Sequence, residues 1–265
     1  MKKKILSICV AAVIAVTAIS GASLAYLTDT DKATNTFTVG NVKIDLIEQQ
    51  RNENGTDLVD FVQDKNLLPI VGSAQGAKDS FGLPTAKNYV DKVVTVKNSG
   101  TNDAYIRAYF AIPSALDDGY ETFNAGLNVL HFNFGNKVVD GAVISTYGNE
   151  WNWKHDGEWN YFETTIDGVA YNVYYADYTK ILAAGETTER FVDGVYLDKS
   201  FDVKDDGYYA FNKKLELGNL DMNKVQCPVF SVAVQAGGFA SAEEAITSAF
   251  GANYNPWGGE ATNWQ

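Results

Sequence analysis

Period-two alternation of apolar and polar residues recurs along this chain, and it limits the possible folds more than any other feature. Val42-Lys43-Ile44-Asp45-Leu46 alternates apolar and charged side chains. Val94 and Val96 alternate with Thr95 and Lys97 ahead of the turn Asn98-Ser99-Gly100. Ile106, Ala108, Phe110 and Ile112 fall on one face of an extended segment, with Tyr105, Arg107 and Tyr109 on the other. Leu130, Phe132 and Phe134 repeat the pattern, as do Phe230, Val232 and Val234. Successive strand side chains point to opposite faces, so these runs read as half-buried strands. Asp-Gly pairs punctuate them at Asp118-Gly119, Asp140-Gly141, Asp156-Gly157, Asp167-Gly168, Asp193-Gly194 and Asp206-Gly207. That dipeptide tolerates the positive φ angles of tight hairpin turns, and the pattern predicts about nine or ten strands. The expected fold is all-β, a jelly-roll-like antiparallel β-sandwich. One short helix is expected in the C-terminal region. Ser241 caps it, Glu244 completes a capping box, and Ala242, Ala245, Ile246, Ala249 and Phe250 share a face.

The N-terminus has a different character. Met1-Lys2-Lys3-Lys4 precedes an uncharged run from Ile5 to Ala25. Basic start, apolar middle and small residues at the end are the three regions of a secretory signal. Ser23-Leu24-Ala25 sets the cut between Ala25 and Tyr26, so residues 1–25 read as a signal peptide and 26–265 as a single domain. The run is about 20 residues, long enough for an uncleaved anchor as well. Cleavage is the expected outcome, with a secreted, extracellular or surface-associated product that has no membrane attachment. Within the domain, 49–88 reads as a long surface loop, with one short strand near Leu58–Val62.

Cleavage removes three lysines and no acid, leaving 18 basic against 33 acidic side chains, a formal charge of −15. Such a surface repels nucleic acid, which excludes it as a partner. Cys9 leaves with the signal, so Cys227 is the one cysteine of the mature chain and no internal disulfide can form.

The inventory for catalysis is small. His131 and His155 are the only histidines, and neither belongs to a His-Glu-x-x-His helix. There is no Gly-x-Ser-x-Gly elbow, and Cys227 has no cation beside it in sequence. Asp202-Val203-Lys204-Asp205-Asp206-Gly207 is acidic but lacks calcium-loop spacing. No catalytic residue, metal ligand or cofactor is expected. Trp151, Trp153 and Trp159 cluster around the Asp156-Gly157 turn. They form either an exposed aromatic surface for a glycan or matrix partner, or a hairpin pinned by cross-strand ring pairs.

The junction of signal and mature chain resembles a known family. Ala25-Tyr26-Leu27-Thr28-Asp29 is followed by Asn35-Thr36-Phe37-Thr38-Val39-Gly40-Asn41-Val42-Lys43-Ile44. This pattern is similar to that of the TasA and camelysin family of Gram-positive bacteria. Lys92–Gly100, Ala104–Arg107 and Leu182–Thr188 also resemble it, whereas 116–178 does not and reads as an insertion. The resemblance implies a jelly roll, a SipW-type signal peptidase as partner during export, and a structural role in biofilm matrix fibres. It implies self-association in which an N-terminal segment adds a strand to the next subunit, with Tyr26, Leu27, Phe37 and Val39 in the donor. Pairing of that segment within its own sheet is the alternative. A surface adhesin and a camelysin-like metallopeptidase are the other functional readings. The zinc motif that peptidase activity needs is absent.

Overall fold

The structure, a computed structural model, describes residues 28–32, 35–36, 42–63, 65–119, 128–204, 207–210, 213–215, 222 and 225–265. Residues 1–25, expected to form a signal segment, the expected cleavage pair Ala25 and Tyr26, and Leu27, Phe37 and Val39 lie outside the described residues.

The chain is mostly β, and its strand ladders are antiparallel. β1 (Thr28–Lys32) and β2 (Asn35–Thr36) form a hairpin. β3 (Ile44–Arg51), β4 (Leu58–Asp60), β5 (Val90–Asp91), β6 (Val93–Asn98) and the long β7 (Ala104–Pro113) follow. Next come β8 (Leu130–Phe134), β9 (Asn136–Val139), β10 (Ala142–Ser145), β11 (Trp151–Asn152), β12 (Lys154–His155) and β13 (Glu158–Trp159). β14 (Tyr161–Ile166) and β15 (Val169–Tyr178) make a long hairpin. β16 (Val192–Leu197), β17 (Asp202–Lys204), β18 (Gly207–Ala210), β19 (Lys213–Leu215) and β20 (Val229–Gln235) lead to helix α1 (Ala242–Phe250) and β21 (Ala261–Thr262). The described residues thus hold 21 strand segments rather than nine or ten. Bulges and tight turns break the alternating runs into short pieces.

The large sheet has the order β2-β1-β20-β7-β15-β14-β21, with β11 also on β15, and it curls into a half-barrel. Two three-stranded sheets, β4-β3-β6 and β5-β16-β8, face it. The amides of Thr188 and Phe191 stitch them together by donating to the Val96 and Val94 carbonyls, each at 2.8 Å. The inner core lies between these layers. Ile106, Phe110 and Ile112 of β7 and Tyr174 of β15 meet Val94, Val96, Phe132 and Leu197 there.

The outer face of the large sheet is buried as well, which corrects the half-buried expectation. β7 is buried at all ten positions. Tyr105 and Tyr109 on its outer face join Phe162, Tyr175, Phe230 and Val232 in a second core. The helix covers part of this face through Ala242, Ala245 and Ile246. Ser241 Oγ accepts from the Glu244 amide at 3.1 Å, and Glu244 Oε2 accepts from the Ala240 amide at 2.8 Å. The C-terminal segment covers the rest. Trp257 sits edge-on to Tyr109 and Phe230, and Trp264 stacks on Phe162 with centroids 4.2 Å apart. Two tryptophans that look isolated in sequence thus close a layer.

Segment 49–88 carries a small core of its own. Ile70, Ala74 and Tyr89 pack together and Leu83 is fully buried. Arg51 anchors the segment by donating to both Asp91 carboxylate oxygens, at 2.7 and 2.6 Å, and to Asp79 at 2.8 Å. Segment 116–178 supplies β8 to one layer and β14 and β15 to the other, so it is woven into both.

Candidate functional site

Two features can carry function, a strand edge and a cleft. The edge is made by the β1–β2 hairpin, in which Thr28-Asp29-Thr30-Asp31-Lys32 of β1 alternates β-branched and charged residues. It pairs with β20 from Thr28↔Val234 to Lys32↔Phe230. β20 makes its other ladder with β7. Without β1, a buried apolar strand would present an open row of donors and acceptors, the template for strand addition. Five positions are paired. Net backbone hydrogen bonds contribute about 0.5–1.5 kcal/mol each. Ordering each residue costs about 1–2 kcal/mol. On the backbone alone the strand is near break-even.

The tryptophan cluster is not an exposed surface, which corrects the aromatic binding site expected at these residues. Trp151, Trp153 and Trp159 are 0, 1 and 7 % exposed. Trp153 stacks on Phe191 with centroids 4.4 Å apart and planes 6° apart, and Trp151 meets Phe191 edge-on. Trp159 lies parallel to Phe134. β12 and β13 pair across Asp156-Gly157, and the Trp153 and Trp159 rings on either side of the turn are buried in the inner core.

On the opposite face of this hairpin lies a cleft of about 780 Å³, bounded by the outer face of β7 and β15 and by the start of α1. At its floor Arg107 donates Nε and Nη2 to the two Asp177 oxygens, at 2.7 and 2.9 Å. The guanidinium also sits 4.8 Å from the Tyr175 ring centroid. Burial opposes the arginine's charge, but Asp177 outweighs it and holds the pKa above its ordinary value. His155 Nε2 lies 2.8 Å from Glu243 Oε2, joining the hairpin wall to the helix wall.

His131 is on β8, away from this cleft. It stacks on Tyr196 at 4.9 Å with planes 10° apart, and its Nε2 is 3.7 Å from Asp198. Burial lowers its pKa. It borders a smaller cavity of about 320 Å³ with Gln75, Lys78 and Asn133. Cys227 packs against the inner core, and burial pushes its thiol up to about 12. Asp205 and Asp206 of the acidic run lie outside the described residues.

Residues 1–61 match the camelysin metallo-endopeptidase family model. No curated protein and no solved structure matches the chain. The camelysin match spans the N-terminal apolar run and β1 to β4, and it stops short of both histidines, Cys227 and the cleft. The donor set does not fit the metal implied by the camelysin description. The two histidines border different cavities, and among the described residues no group of three or more His, Cys, Asp or Glu side chains could hold a metal ion. Also among the described residues, no helix is long and apolar enough to cross a membrane.

Proposed function

We propose that the chain is an exported, non-enzymatic matrix or surface subunit that self-associates by passing its N-terminal strand to the next copy. One observation carries this reading: β1, a few residues after the expected cut at Ala25, sits in register on the edge of β20. Main-chain hydrogen bonds hold that pairing, so the same ladder can form between two copies. A SipW-type signal peptidase frees Tyr26, and with it the donor, only after export. This confines assembly to the outside of the cell. Strand docking within one chain competes at an effective concentration on the order of millimolar. Fibres therefore form where secreted protein accumulates, and dilute protein stays closed.

Cysteine pairing tests the exchange. In a Cys227→Ala background, one chain carries Asp31→Cys and another carries Ser231→Cys, positions that face each other in the ladder. Oxidation of the mixed, concentrated chains is expected to give cross-linked dimers. A chain carrying both changes should give ladders when concentrated and an internal disulfide when dilute. Removal of residues 26–39 should abolish polymers and leave a chain that caps the growth of intact ones. Internal disulfides alone at every concentration, with light scattering unchanged by the deletion, would refute the proposal.

A further inference from the structure

The cleft on the outer face of the large sheet has no part in strand exchange, and its chemistry is specific. Its volume of about 780 Å³ falls within the ~300–1,000 Å³ range of small-molecule sites. Tyr105 and Tyr175 line it from neighbouring strands. The Arg107–Asp177 pair supplies donors and acceptors whose charges cancel. Arg107 commits Nε and Nη2 to Asp177 and keeps Nη1, and each Asp177 oxygen keeps a lone pair. Asn160 donates Nδ2 to the Asn152 carbonyl at 2.9 Å and keeps Oδ1 free to accept.

Charge and hydrogen bonding narrow the ligand. Glu158, Glu243 and Asp177 stand against the single fixed cation Arg107, so an anionic ligand is repelled. Arg107 engages Asp177 and His155 engages Glu243, which leaves Glu158 as the one side-chain carboxylate of the cleft without a partner among the described residues. One carboxylate is a weak claim on a cation. A purely apolar ligand would bury the free valences of Arg107, Asp177 and Asn160 unpaired, at about 1–3 kcal/mol each. A neutral, polyhydroxylated ligand meets every condition. Its hydroxyls match planar groups that donate and accept side by side.

We infer that this cleft binds a neutral oligosaccharide. The His155–Glu243 pair, with side chains 53 and 51 % exposed, forms a strap between its two walls that opens without disturbing either core. The inference is independent of strand exchange, because the cleft is complete within one chain.

Titration calorimetry on the mature, dilute protein tests it, with cellotriose, maltotriose and chitotriose as separate probes. At least one should bind with micromolar to millimolar Kd. Trigalacturonate and tri-lysine should each bind at least tenfold more weakly. Ile181, half-exposed on the cleft wall, permits a blocking change. Ile181→Trp should weaken binding at least tenfold with Tm unchanged. Failure of all three neutral trisaccharides to bind overturns the inference. So does undiminished binding by a folded Ile181→Trp variant, or a preference for tri-lysine.

Discussion

Asp193 is fully buried in β16, where the pairing with β8 shifts register between Val192 and Gly194. Its Oδ2 accepts from Asn136 Nδ2 at 2.6 Å, and Arg190 Nη1 stands 3.6 Å from Oδ1. Lys78 also favours the charged form, and the Tyr89 phenol is a further titratable neighbour. Burial outweighs these partners and pushes the carboxyl from 3.8 up to about 6. That difference corresponds to about 3 kcal/mol, since one pKa step is worth about 1.4 kcal/mol. The sign follows from linkage. Between 3.8 and about 6 the folded chain holds a proton that the unfolded chain has lost, so the contribution of Asp193 to stability falls as pH rises through this window. Above it, the full penalty of about 3 kcal/mol applies. Asn resembles the protonated carboxyl in shape and can still accept from Asn136. Asp193→Asn should therefore stabilise the protein by up to about 3 kcal/mol at pH 7.5 and by close to zero at pH 4. Urea unfolding of both proteins at the two pH values measures this. A stability difference that does not change with pH, or a variant weaker than the parent at pH 7.5, would sink the argument.

Trp153→Ala removes a fully enclosed ring stacked on Phe191 and should lower stability by about 3–5 kcal/mol in urea unfolding. A loss under 1 kcal/mol would mean the ring is not enclosed. Gly194→Ala would place Cβ 2.3 Å from the Val90 carbonyl oxygen, so the β5–β16 pairing must part. A drop in Tm with faster amide exchange at Val90 and Val195 is expected, and an unchanged Tm would contradict it. Cys227, with its thiol pushed up to about 12, should react with a chromogenic disulfide reagent at pH 8 only after denaturation. Rapid reaction of the native protein would contradict this.

The strands were legible where alternation was strict. Ile106 to Ile112 and Phe230 to Val234 belong to β7 and β20, and Ser241 does cap the helix. Asp140-Gly141, Asp156-Gly157 and Asp167-Gly168 are tight turns with positive φ at both residues. Asp193-Gly194 has the same letters but lies within a strand. Its glycine answers to close approach by Val90, a contact between distant segments that no local pattern records. Burial of the second face of β7 was hidden for a related reason. Tyrosine suits a wet or a dry face, and the covering groups, Trp257 and Trp264, arrive about 150 positions later. The cleft was illegible because strands β7 and β15, the β12–β13 hairpin and the helix start build it together.

The pairing of β1 with β20 joins segments roughly 200 positions apart, a long-range closure of the kind that slows folding. A chain threaded outward from its N-terminus must leave β1 waiting until nearly the whole polypeptide has emerged. Under the proposed export, the first strand outside the cell has no partner of its own during that interval. Under the proposed strand exchange, the order of emergence sets a kinetic race between self-closure and capture by an earlier copy. Translocation speed, rather than affinity alone, would then tune how much of the secreted protein ends as monomer.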